Sequence, residues 1–159
     1  KARRPSVTLK IVGADPSSRI RDLGKLPGVT VTGSVPDVRP YVTRAALTVA
    51  PLRIARGTQN KILEAMAMGV PVVCSSIAAE GVDALAGEHL VTADTPAEQC
   101  EAILGILEDP LVRARFARAG RERILSNHVW GSSMKRLDGI IDRCMAGSFS
   151  QQQLRMQSS

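Results

Sequence analysis

The 159 residues are enough for one domain with its own core, and an apolar share of 44% lies in the globular range with no stretch long and apolar enough to span a bilayer. The net charge is +6, yet aromatic residues make up only 3%, so stacking platforms are scarce and nucleic acid is set aside as a partner. Cys74, Cys100 and Cys144 are an odd number without metal-ligand spacing, which argues against a disulfide framework and reads as buried or half-buried free thiols in a reducing cytoplasm.

The start, Lys1-Ala-Arg-Arg-Pro-Ser, is polar and not a signal peptide; it resembles the end of a helix and a loop, so a fragment of a longer protein is expected. Val7-Thr-Leu-Lys-Ile-Val12 is β-branched and apolar and is closed by Gly13, the pattern of a buried strand. A short helix is expected to follow to Lys25, capped by Ser17 or Ser18. A second strand covers 29–32 and ends at Gly33, and Asp37 is the expected cap of a helix through Arg44. A third strand covers 46–50, and the helix after Gly57 runs to Met68 and stops at Gly69. Pro71 suits the first position of a fourth strand, 71–74, followed by a loop or short helix around 78–83 and a short fifth strand at 89–92. Thr95 and Pro96 open the next helix as cap and first residue, and helices then fill 97–108, 110–127 and 129–145. The tail from Gly147 has few apolar residues and no period, so it reads as disordered.

Strand and helix alternate with short connections, the signature of a parallel sheet wound with helices on both faces. Such sheets bind ligands beyond the carboxyl ends of their strands, where Gly13, Gly33 and the loop before Gly57 all fall. Arg56, Gly57 and Thr58 precede a helix start that presents free amides, and Lys61 and Glu64 follow three residues apart on one helix face. Amides with a cation suit a phosphate, and a carboxylate one turn deeper suits ribose hydroxyls. The plain alternatives are a Glu64–Lys61 surface pair, solvated Arg53 and Arg56, and Gly33 and Gly57 as simple turn residues. His89, His128 and Trp130 read as structural, and Met66 and Met68 as gap fillers. Between Arg113 and Arg136 stand seven Lys or Arg against one acid, Glu122; this is either a solvated helix face or a peripheral contact with an anionic membrane.

Three blocks carry a family resemblance: Ile11-Val-Gly13; Val29-Thr-Val-Thr-Gly-Ser-Val-Pro-Asp37; and the run from Gly57 through Leu63-Glu-Ala-Met-Ala-Met-Gly-Val-Pro-Val-Val73. Together they resemble the C-terminal donor domain of GT-B glycosyltransferases, in the retaining group called family 4 or group 1. The nearest flavour is the sugar transferase associated with exosortase and exopolysaccharide systems. The resemblance covers about residues 7–145 and makes 1–146 one nucleotide-sugar donor-binding domain, a Rossmann-like half of a GT-B fold lacking its first strand and helix. It implies a cytoplasmic hexosyltransferase-type enzyme, with a UDP- or GDP-sugar as substrate and neither metal nor other cofactor, cationic side chains and helix dipoles neutralising the diphosphate.

By the same resemblance Glu64 matches the second glutamate of a paired motif and accepts from the ribose hydroxyls. The first glutamate's position holds Arg56, which becomes the one catalytic candidate and could reach the diphosphate or an acidic sugar. The amides of Gly57, Thr58, Gln59 and Asn60 face the diphosphate, with Lys61 as an added phosphate partner outside the usual motif. Gly33, Ser34 and Val35 lie near the base, and Gly13 clears space beside the donor. The family's phosphate clamp and its acceptor domain would precede Lys1, so the chain alone is expected to bind nucleotide weakly or not at all, and not to turn over. A sheet short of one strand has unpaired edges, and edge pairing or strand exchange into a homodimer is the expected repair. A GT-B-fold nucleotide-sugar epimerase and a non-catalytic α/β binding module are the competing readings.

Overall fold

A computed structural model describes residues 4–127, 131, 134–135 and 137–145. Its elements follow in the order β1 (Leu9–Ile11), α1 (Ser18–Leu23), β2 (Val29–Val31), α2 (Arg39–Thr43), β3 (Thr48–Ala50), α3 (Asn60–Ala67), β4 (Val72–Cys74), α4 (Ser76–Ala79), β5 (Val91–Thr92), α5 (Pro96–Glu108) and α6 (Pro110–Asn127). All strand pairs are parallel: Leu9 stands opposite Val29, Thr48 opposite Val72, and Val73 opposite Val91. The α/β, Rossmann-like expectation is met.

β4 shows how the layers form. Its three residues are fully buried, and successive side chains of a strand point to opposite faces. Val72 and Cys74 face one way, into a cluster with Ala50 of β3, Ile62, Ala65 and Met66 of α3, and Ile124 of α6. Val73 faces the other way, against Ala93 and Ile106, with Ala102 and Ile103 of α5 beside them. A strand covered on both faces reads as a continuous apolar run, as Pro-Val-Val-Cys does. α3 closes onto α6 at Gly120, where an added Cβ would stand 3.1 Å from the His89 carbonyl oxygen and 3.5 Å from Met66 Cγ.

The expected single sheet is in two parts. β1 and β2 form one parallel pair, and β3, β4 and β5 a second sheet, with no ladder between them among the described residues. Among the described residues none before Ala50 is buried. β1 is therefore not the buried strand its composition suggests: Leu9 is 44% exposed. A lone two-stranded pair has too little apolar contact for much stability of its own. α1 covers part of β2, where a Cβ on Gly24 would stand 3.3 Å from Val31 Cγ2. The Lys10 ammonium lies 5.9 Å from the Tyr41 ring centroid of α2.

Of the two expected caps of α1, Ser17 serves, its hydroxyl accepting from the Ile20 N–H at 3.4 Å. Other expectations are corrected locally. The N-cap of α2 is Val38; Asp37 stands one residue earlier, and its Oδ1 accepts from the Arg39 N–H at 2.9 Å. The helix after β4 begins at Ser76 rather than near 78, because Asp94 reaches across to its first turn: Asp94 Oδ1 accepts from the Ser76 N–H at 2.8 Å and Oδ2 from its hydroxyl at 2.6 Å. Cys74 is buried, but Cys100 and Cys144 are exposed. Thr95 and Pro96 open α5 as expected, with a reciprocal cap in which Glu98 Oε2 accepts from the Thr95 N–H at 2.9 Å and Thr95 Oγ1 from the Glu98 N–H at 3.2 Å. The readings on His128, Trp130 and the tail from Gly147 fall outside the described residues; positions 137–145 are helical.

Candidate functional site

The loop between β3 and α3 carries most of the expected site residues. Gly57 sits at φ 64°, a left-handed conformation that glycine takes without a Cβ penalty, and it turns the chain toward the helix. Gln59 is the N-cap of α3, and its side chain makes no cap hydrogen bond. Instead it is buried, 7% exposed, and its amide donates to the carbonyls of Arg56 (3.2 Å) and Gly57 (3.1 Å). The Gln59 side chain thus holds the loop from beneath, so any ligand contact from Gln59 is left to its backbone. Its carbonyl takes the N–H groups of Ile62 and Leu63. The N–H groups of Gly57, Thr58, Gln59, Asn60 and Lys61 find no acceptor among the described residues. Five donors in sequence at a helix start make a local bias toward an anion.

Lys61 and Glu64 are exposed on α3, outside the row of Ile62, Ala65 and Met66 that it buries. Neither forms an ion pair among the described residues, and they do not pair with each other. Arg53 and Arg56 are likewise exposed and without an ion pair there. The surface pairing that would explain Lys61 and Glu64 without a ligand is therefore absent among the described residues.

Beside this loop lies an open depression of about 620 Å³ lined by residues 55, 57 and 58 on one side and 77 and 80–83 on the other. Gly81 makes it possible. A Cβ there would stand 2.3 Å from the Gly57 carbonyl oxygen, so only glycine lets the two loops approach this closely. The Gly81 N–H, like those of Gly57 and Thr58, has no acceptor among the described residues. The 80–83 loop is tied down from α6: Arg123 Nε donates to the Asp83 carbonyl at 2.9 Å, its guanidinium also meets the Asp83 carboxylate, and Asn127 Nδ2 donates to Asp83 Oδ2 at 2.8 Å. At the end of β4 the buried Ser75 hydroxyl donates to the Leu52 carbonyl at 2.7 Å, fixing the loop that leaves β3. The sequence reading missed Ser75, Gly81 and Asp83. Gly81 carried a signal in Glu80-Gly-Val-Asp83, a glycine beside acids after a strand, but its partner is 24 positions away.

Gly13 and Gly33 end β1 and β2 and are brought together, the Gly13 N–H donating to the Gly33 carbonyl at 3.2 Å. Gly33 has φ 70°, with nothing within 4 Å of an added Cβ. Ser34 is exposed and Val35 half-buried. No hydrogen bond joins this pair of loops to the Gly57 loop among the described residues. Arg56, Lys61 and Glu64 border the depression in sequence but do not line it.

Of the titratable groups here, Asp94 is held below the usual carboxylate range, first by the Ser76 hydroxyl and then by the Ser76 N–H. Glu98 is held down by the Thr95 and Asp94 N–H groups. Burial pushes the Cys74 thiol up to about 11, so it stays protonated and is no nucleophile near neutrality. Among the described residues no three His, Cys, Asp or Glu side chains are grouped to hold a metal ion.

A parallel α/β domain with an anion-ready loop and helix start at the strand ends defines the class: a Rossmann-like half of the GT-B kind. The chain belongs to the group 1 glycosyltransferases, matching the family described as "Glycosyl transferases group 1" over residues 1–109. No curated protein sequence matches it. Among solved structures it is similar to sucrose-phosphate synthase from Thermosynechococcus elongatus, with 24% identity and a TM-score of 0.75 over 92% of this chain and 40% of that one. S. aureus TarM, in a mutant complex with Fondaparinux, alpha-GlcNAc-glycerol and UDP, gives 16% and 0.76 over 87% of this chain and 29% of that one. Anabaena HepE in complex with UDP-glucose gives 20% and 0.65 over 92% and 42%. The chain thus spans less than half the length of each of these structures.

Proposed function

We propose that this chain is the donor-binding half of a metal-independent glycosyltransferase that takes a nucleoside-diphosphate sugar and passes its glycosyl unit to a saccharide or lipid-linked acceptor. The observation that carries this reading is the series of N–H groups from Gly57 to Lys61 without an acceptor among the described residues, followed by the exposed Lys61 and Glu64 of α3, which have no ion pair there. The amides and Lys61 neutralise the diphosphate, the work a divalent cation does elsewhere. The Glu64 carboxylate accepts from both vicinal hydroxyls of the ribose. Arg56 reaches the distal phosphate or the sugar, and Gly13, Gly33, Ser34 and Val35 face the base. UDP in the TarM structure and UDP-glucose in the HepE structure support a nucleotide-sugar donor. An exopolysaccharide pathway of the exosortase-associated type is the setting we favour, with the acceptor-binding half and the remaining catalytic groups outside this chain.

The test is a titration of the full-length polypeptide that carries the chain with UDP and GDP, comparing wild type with Glu64→Ala. Losing one charged hydrogen-bonding contact costs about 1.5–3 kcal/mol, or roughly ten- to a hundredfold in affinity. Binding of one nucleotide with that loss supports the assignment. Binding of neither, or equal binding by the variant, removes Glu64 as the ribose anchor.

A further inference from the structure

The basic stretch singled out in the sequence is not absorbed by the donor site, and the structure gives it a shape. α6 buries Phe116, Gly120 and Ile124. At 100° per residue, the row directly opposite is Leu111, Arg118 and Leu125, spaced by seven. All three stand out from the surface: Leu111 is 81% exposed, Leu125 54%, and the Arg118 side chain 77%. Arg115 and Arg121 are also exposed and flank this row on either side, and neither forms an ion pair among the described residues. The one acid of α6, Glu122, makes only a 4.0 Å contact with Arg118.

A solvated helix face places opposite charges three or four apart and keeps its leucines inward. α6 instead has five arginines against one acid and two exposed leucines on its outward row. Leucines that enter the acyl boundary while arginines hold the phosphates above it are the pattern of a helix lying on an anionic bilayer. We propose that the outward face of α6 docks this protein on an anionic lipid surface, Leu111 and Leu125 inserting and Arg115, Arg118 and Arg121 pairing with headgroup phosphates. Arg123 and Asn127, which clamp Asp83, leave α6 from its inward side, so the docking face and the depression beside Gly57 share no residue. The proposal stands independently of the donor-site reading, since docking needs no nucleotide.

The test is sedimentation of the protein with vesicles of phosphatidylcholine alone and of phosphatidylcholine mixed equally with phosphatidylglycerol, at rising salt. Binding to the mixed vesicles only, weakened by salt, is expected. Arg115→Glu with Arg118→Glu is expected to lower partitioning by about tenfold or more, and Leu111→Ser with Leu125→Ser to lower it at all salt concentrations. Glu122→Lys is expected to raise it, a gain that a misfolded variant would not give. No binding to mixed vesicles overturns the proposal. So does equal binding to neutral ones, no response to the charge variants, or binding to a nucleic acid probe in place of vesicles.

Discussion

Replacing Gly81 by alanine is expected to unseat the loop that carries Gly57. The new Cβ would lie 2.3 Å from the Gly57 carbonyl oxygen, whereas real contacts of this kind stay above 3.0 Å, so the loops must part by at least 0.7 Å. Neither side yields easily. The Gly57 carbonyl accepts from Gln59, whose side chain is buried, and Asp83 is held by Arg123 and Asn127. Overpacking of this kind costs about 1–3 kcal/mol. For a domain of this size that is a fall in Tm of roughly 2–4 °C per kcal/mol. Gly105→Ala is the matched control: it adds the same methyl group inside α5 with nothing within 4 Å, so it is expected to raise stability by about 0.5–1 kcal/mol. Thermal melts of both variants check the sign, and nucleotide titration of the same proteins checks the site. A Gly81→Ala protein that melts at or above wild type refutes the packing argument. One that melts lower but binds nucleotide unchanged separates the 80–83 loop from the donor site.

Native hydrogen exchange is expected to divide the chain: amides of α3 and β4 exchange near the global limit, while those of β1, α1 and β2, which bury nothing, exchange far faster; uniform protection would contradict the split. A thiol reagent near pH 8 is expected to label Cys100 and Cys144 in the native protein and Cys74 only after unfolding; three fast thiols would show that β4 is open. The raised Cys74 value also means that its stabilising share is whole below the ordinary thiol pKa and is lost as pH rises toward about 11. Asp94 and Glu98 have lowered values, so their share is whole above the ordinary carboxylate range and is lost as pH falls through the lowered values; acid melts of Asp94→Asn are expected to lose part of that slope.

Legibility tracked the range of the interaction. The start of α5 was legible because Thr95, Pro96 and Glu98 satisfy one another within a single turn. The loop before α3 was legible for the same reason, since Gly57 and the uncapped helix start are neighbours in sequence. β1 and β4 both read as buried apolar strands, yet only β4 is buried, because burial depends on α3 on one face and α5 on the other.

The sequence by itself determined the order of strands and helices, from patterns within about a dozen positions, and the family, from three blocks in order between Ile11 and Val73. The tertiary structure alone decided that the sheet lies in two parts, that Gln59 points inward, that Gly81 is confined by Gly57, and that Asp83 is clamped from a helix 40 positions on. It also turned a count of basic residues into a face with leucines at its crest. Backbone preferences are settled by near neighbours; which side chain is buried, crowded or left facing water is settled by whatever the fold brings alongside it.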